Sequence, residues 1–167
     1  MAEVLEDILN DIDKVELDDK ILNFKEHMKT LPLIDVMFPI GVKNVKKYTR
    51  KGDGLFSTRM KGTPVHVKSA LNYNDMLKHH KVKTIRGIIN GEKIKWTYLK
   101  NNSMGLDTMA LKGYDDPEAI YDFVAQHINH EKVFKSAFAN KLNDFYGALK
   151  WGRVPENNNL GKFFAFG

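Results

Sequence analysis

The sequence predicts a helix-rich α+β fold, a single domain with a small antiparallel sheet, and three observations carry that expectation. Apolar residues recur at i, i+3 and i+4 in several separate stretches, the spacing of amphipathic helices. One pair, Asn90-Gly91, lies between two β-like runs and is the strongest short-range sign of a hairpin. A length of 167 residues with 43% hydrophobic and 28% charged residues suits one unit with a buried core.

The elements follow in order. Val4, Leu5, Ile8, Leu9 and Ile12 predict a helix over residues 3–12, and Leu17, Ile21, Leu22, Phe24 and Met28 a second one ending near Thr30. The apolar stretch 31–39 is bounded by Pro32 and Pro39, which predicts an extended connector. Residues 41–62, rich in Gly and Lys, read as loop with short strand or turn pieces. Thr63 offers an N-cap hydroxyl and Pro64 suits the first helical position, so a helix is expected over 63–79. The runs 84–89 and 93–99 form the predicted hairpin, the second with Ile94, Trp96 and Tyr98 on an apolar face and Lys93, Lys95 and Thr97 on a basic one. A short strand is expected at 108–111, a helix after Pro117, and a longer helix over 130–150 closed by Trp151-Gly152.

Charge is unevenly placed. Residues 1–37 hold ten acids and four lysines, a balance of −6, whereas residues 43–100 hold fifteen Lys and Arg against Asp53, Asp75 and Glu92, a balance of +12. On charge alone two readings stand: a polyanion partner, nucleic acid above all, or a well-solvated basic face.

Catalytic chemistry has little to build on. The absence of Cys excludes a disulfide framework, a thiolate zinc site and a cysteine nucleophile, and fits a reducing cytoplasm. Asp11 and Asp13 are two apart and would diverge on a helix. His79-His80 and the pair His127, His130 lack a convergent acidic partner. Gly52-Asp53-Gly54 lacks the third glycine of a dinucleotide fingerprint, and neither a P-loop nor a Gly-x-Ser-x-Gly elbow occurs. The residues favour a binding module without its own cofactor. The N-terminus lacks a signal-peptide pattern, and no run approaches the about 18 apolar residues of a membrane span, so no membrane partner is expected.

From Phe38 onward the order of segments resembles the thumb of family-B DNA polymerases of large tailed bacteriophages. The likeness is carried by Phe38-Pro39-Ile40-Gly41-Val42 through Lys47-Tyr48, by Lys61-Gly62-Thr63-Pro64-Val65-His66-Val67-Lys68, by Asn72-Tyr73-Asn74, by the run from Gly91 to Lys100, and by the Phe-rich end. It implies a thumb at 38–154, an acidic helical lead-in from the palm at 1–37 and a tail at 155–167. The implied role is to grip primer-template duplex DNA during replication, in the cytoplasm of an infected bacterium. The catalytic carboxylates, and the Mg2+ they hold, would belong to a palm absent from this chain, which is then inactive without the palm, fingers and exonuclease domains.

The resemblance places DNA contacts at Lys61, Gly62, Thr63, His66 and Lys68, where helix N-terminal amides favour a phosphate. Lys47, Tyr48, Lys93, Lys95, Tyr98 and Lys100 are further contacts, with Lys43, Lys46 and Arg50 beside them. Backbone contacts of this kind make affinity salt-dependent and nearly sequence-blind. Leu160, Phe163, Phe164 and Phe166 resemble the short tail that docks such polymerases on a sliding clamp, although Lys162 replaces the acids usual there. Packing of those aromatics on the chain's own core is the alternative. A stand-alone basic nucleic-acid-binding module, and a scaffold whose basic half serves protein contacts, are the rival functions.

Overall fold

A computed structural model of the chain describes residues 1–49 and 54–156. It is α+β, with helices and one three-stranded antiparallel sheet, and its described residues form two compact units: residues 1–31 together with 130–156, and residues within 32–129. Residues 130–154 thus group with the N-terminal helices, whereas the sequence reading placed them with residues 38–129.

The first unit is helical: α1 (Ala2–Leu9), α2 (Lys14–Met28), α7 (His130–Phe134), a π-helical turn (Lys135–Ala139) and α8 (Asn140–Ala148). The Asp13 carboxylate accepts from the Val15 amide at 3.0 Å and so caps α2, which buries Leu17, Ile21, Lys25 and Met28. Lys25, 3% exposed, pairs with Glu131 at 2.5 Å and also contacts the Glu156 carbonyl. Helix α1 stops three residues short of the expected Ile12. Asp11 takes a left-handed φ of 57°, and the Ile12 amide folds back to the Asp7 carbonyl at 3.2 Å, leaving Leu9 83% exposed.

The helix expected over 130–150 is divided by the π turn, and phase explains why. Phe134, Phe138, Leu142 and Tyr146 repeat every four residues, and in a regular helix of about 100° per residue that stripe drifts by about 120° over twelve residues. The π turn takes up about one residue and cancels most of the drift, so all four side chains are buried. Phe145 and Leu149, apolar residues of the same stretch, fall off that stripe and are 42% and 40% exposed. Lys150 (φ 58°) ends α8, with its own amide on Gly147 and the Trp151 amide on the Tyr146 carbonyl.

The second unit comprises α3 (Leu33–Val36), β1 (Phe38–Gly41), α4 (Val45–Tyr48), α5 (Val65–His79), β2 (Lys93–Tyr98), β3 (Thr108–Leu111) and α6 (Glu118–His127). The expected extended connector thus contains a helical turn, closed by the Asp35 amide on the Pro32 carbonyl at 2.9 Å, before it becomes β1. The sheet order β1-β2-β3 puts β1 on an edge, where the missing amide of Pro39 disrupts no ladder. Phe38 stacks on Trp96 with centroids 4.9 Å apart, and Tyr98 meets Trp96 edge-on.

The face of β2 expected to be basic is mostly covered. Thr97 is fully buried, the Lys95 ammonium donates to the Ile34 carbonyl at 2.7 Å, and of the three only Lys93 is exposed.

The predicted hairpin is not formed. Asn90-Gly91 does turn the chain, with Gly91 at φ 89°, yet residues 84–89 are not a strand and β2 pairs with β1 and β3 instead. The backbone of the would-be first strand is satisfied elsewhere: the Asn74 amide accepts from Ile88 N at 2.6 Å and donates to Ile88 O at 2.9 Å. The strand at 108–111 and the helix after Pro117 form where expected.

Two buried phenols make opposite predictions. Burial, and then a hydrogen bond donated to Asp18 at 2.6 Å, push the Tyr146 pKa up; burial, and then the nearby Asp116 carboxylate, push that of Tyr73 up. Both stay neutral in the folded chain while unfolded phenols ionise near pH 10. Their stability contribution is therefore whole below that pH and lost as pH rises above it. Tyr146→Phe is expected to lose about 1 kcal/mol at neutral pH, the worth of one hydrogen bond. Tyr73→Phe should be neutral or mildly stabilising, because its buried hydroxyl has no hydrogen-bond partner among the described residues. Urea midpoints at neutral pH and at about pH 10.5 check both, each variant losing less than the parent on going alkaline.

Candidate nucleic-acid interface

The two units differ in sign. Residues 32–129 carry sixteen Lys and Arg against nine acids, a net +7, and the remaining residues ten against twelve, a net −2.

The positive charge of the second unit gathers at one end of the sheet, because register brings three strand ends together. Lys93 lies opposite Gly41, Lys95 opposite Leu111, and Lys112 follows Leu111 directly. Past Gly41, the Val42 amide donates to the Glu92 carbonyl at 2.9 Å, which sets Lys43 beside the start of β2. The Asn90 side chain then accepts from the Val45 amide at 2.7 Å and fixes α4, with Lys46, Lys47 and Tyr48, next to the same turn. The Lys47 ammonium lies 5.5 Å from the centroid of the Tyr48 ring.

Lys93, Lys95 and Lys112 line an open groove of about 480 Å³ floored by Pro39, Ile40, Gly41 and Ile94. The acid closest in the chain, Glu92, is already engaged: one oxygen takes Arg86 at 2.5 Å and the other the Ile89 amide at 2.8 Å. Lys43, Lys46, Lys47 and Lys93 are exposed and have no ion pair among the described residues. A surface of this kind attracts and neutralises a row of phosphates.

The expected contacts therefore separate into groups. Lys47, Tyr48, Lys93 and Lys95 come together at this end. Tyr98 is five residues further along β2, about 17 Å at the usual rise, and packs against Phe38 and Trp96. Lys100 is exposed just beyond it, its amide on the His127 carbonyl at 2.7 Å.

Lys61, Gly62, Thr63, His66 and Lys68 lie at the start of α5, with a different chemistry from that expected. Pro64 occupies the N-cap position, and the Thr63 hydroxyl donates to the Met60 carbonyl at 2.7 Å, so Thr63 does not cap the helix. Residues 60–63 form a turn of their own, which captures the hydroxyl. Lys68 pairs with Asp107 at 2.7 Å and is neutralised, while Lys61 is exposed. Arg50, Leu160, Phe163, Phe164 and Phe166 lie outside the described residues.

Lys112 and Arg86 were missed as members of the cluster. The signal for Lys112 was its place directly after a predicted strand; for Arg86 it is visible only in three dimensions, where its carbonyl accepts the Lys112 ammonium at 2.5 Å.

Other chemistry is sparse. Among the described residues no group of three or more His, Asp or Glu is placed to hold a metal ion, and no helix is long and apolar enough to cross a membrane. No protein-family model matches the chain, and no curated protein matches it.

Proposed function

We propose that the chain grips the sugar-phosphate backbone of a nucleic-acid duplex, as the thumb fragment of a family-B DNA polymerase of the phage type. The observation that carries the binding half is the lysine-bearing end of the sheet, where Lys43, Lys46, Lys47 and Lys93 have no ion pair among the described residues. The polymerase half rests on the order of the sequence segments from Phe38 onward. In this reading the chain makes no phosphodiester bond itself. Palm, fingers and exonuclease domains complete it, the tail at 155–167 docks on a sliding clamp, and the setting is the cytoplasm of the infected cell.

Fluorescence anisotropy of a labelled primer-template duplex, titrated at several salt concentrations, tests the binding half. Affinity should fall linearly on a log-log plot against salt and be nearly the same for unrelated sequences. No binding at low salt removes this half. Supplying polymerase palm and fingers then separates the thumb from a stand-alone basic module, since only a thumb restores primer extension.

A further inference from the structure

We infer that Arg59, Asn72 and Asp75 are positioning residues that fix the Lys61-Gly62 turn as a phosphate contact, an inference that rests on the nucleic-acid reading above. Arg59 belongs to the basic segment, yet its guanidinium is only 13% exposed and is spent internally. Nη2 donates to Asp75 Oδ2 at 2.7 Å and to Asn72 Oδ1 at 2.9 Å, with Nε 3.3 Å from the same Asn72 oxygen. With Nε and Nη2 committed inside the fold, it is a poorer phosphate ligand than an exposed lysine.

The same carboxylate oxygen accepts from the Phe56 amide at 3.0 Å, and Lys78 approaches the other oxygen at 3.7 Å. Phe56 holds φ 58°, a conformation that bulky residues avoid and that persists only where its surroundings impose it. Asn72, 2% exposed, turns its NH₂ to the Thr108 carbonyl at 2.9 Å, so the cluster ties the 56–59 loop to α5 and β3 together. A buried ion pair seldom adds stability over well-packed apolar residues, and its best-attested use is to enforce one arrangement.

What is enforced here stands one residue further on. The Thr63 amide meets the Met60 carbonyl at 3.1 Å and Gly62 has φ 82°, a type II turn with exposed Lys61 at its tip. A lysine on a fixed turn loses less freedom on meeting a phosphate than one on a loose loop.

The test is coupling. One phosphate contact is worth about 0.9 in salt slope, or about eightfold in affinity at 0.1 M salt. Lys61→Ala should cost about that in the parent chain. In an Arg59→Met/Asp75→Leu background, already weakened by a similar factor, Lys61→Ala should cost less than about twofold more. Equal cost in both backgrounds overturns the inference, as does no cost in the parent.

Should the apolar pair fail to fold, hydrogen exchange on Asp75→Asn decides: amides of residues 56–61 should exchange faster while those of α5 keep their protection, and unchanged exchange overturns the inference. Absence of salt-dependent duplex binding by the parent chain removes the nucleic-acid reading, and exchange then judges whether the cluster holds the turn.

Discussion

Replacing Lys46, Lys47 and Lys93 together by alanine is expected to flatten the salt dependence of duplex binding by about 2.7 in log-log slope, the loss of three phosphate contacts at about 0.9 each. Because that contribution scales as salt concentration to the same power, affinity at 0.1 M should drop by about 500-fold, and the parent and variant curves should converge near 1 M. Stability should move by less than about 0.5 kcal/mol, since all three side chains are exposed and have no ion pair among the described residues. Removing two cations from the other unit, Lys141 and Arg153, should leave the slope unchanged; both are exposed, but in a unit with more acids than bases. Equal flattening by the two sets would mean that net charge, not the end of the sheet, governs binding. A parallel downward shift with unchanged slope would mean that these lysines touch no phosphate.

Much of this was legible in sequence, and the exceptions share a cause. Helices α2, α5 and α6 and strand β3 carry their own signals, an apolar stripe or a short apolar run with a start or stop residue, and form within a few residues of expectation. The failures are places where a group takes a partner, or the chain a conformation, that the local composition does not announce. Residues 84–89 have strand composition, but Asn74, fourteen positions before Ile88, supplies the partner that a neighbouring strand would have supplied. Thr63 has cap chemistry, but the Met60 carbonyl captures its hydroxyl. The ends of α1, α5 and α8 use Asp11, Lys81 and Lys150 in left-handed geometry where glycine would have announced the stop. The interface divides the same way. Charge density points to the stretch 43–100, but only the folded chain shows that Lys93 lines a groove with Lys112, which lies outside that stretch, while Lys68 pairs with Asp107.

Gly87→Ala is the sharpest test of that side-chain takeover, because the clash and the intrinsic backbone effect have opposite signs. The φ of Gly87 is not in the left-handed region, so alanine fits its backbone, and a less flexible unfolded chain alone would raise stability by about 0.4–1 kcal/mol. A Cβ there, however, would stand 2.7 Å from the Asn74 Oδ1 atom and 3.0 Å from its Cγ. That side chain cannot swing away without releasing both hydrogen bonds to Ile88, which is 1% exposed. Leaving a buried amide and carbonyl unpaired costs about 1–3 kcal/mol each, so after the backbone gain a net loss of about 1–5 kcal/mol is expected. At about 2–4 °C per kcal/mol for a chain of this size, Tm should fall by about 2–20 °C. Asn74→Ala should cost a similar amount in the parent and almost nothing in the Gly87→Ala background, since the bonds are already lost there and the clash goes with the amide. The loosened segment includes Arg86, whose carbonyl receives Lys112, so duplex binding should weaken in the folded variant as well. Stabilisation by Gly87→Ala would mean that the Asn74 bonds do not hold this segment in solution, and independent costs of the two substitutions would mean that they act through different contacts.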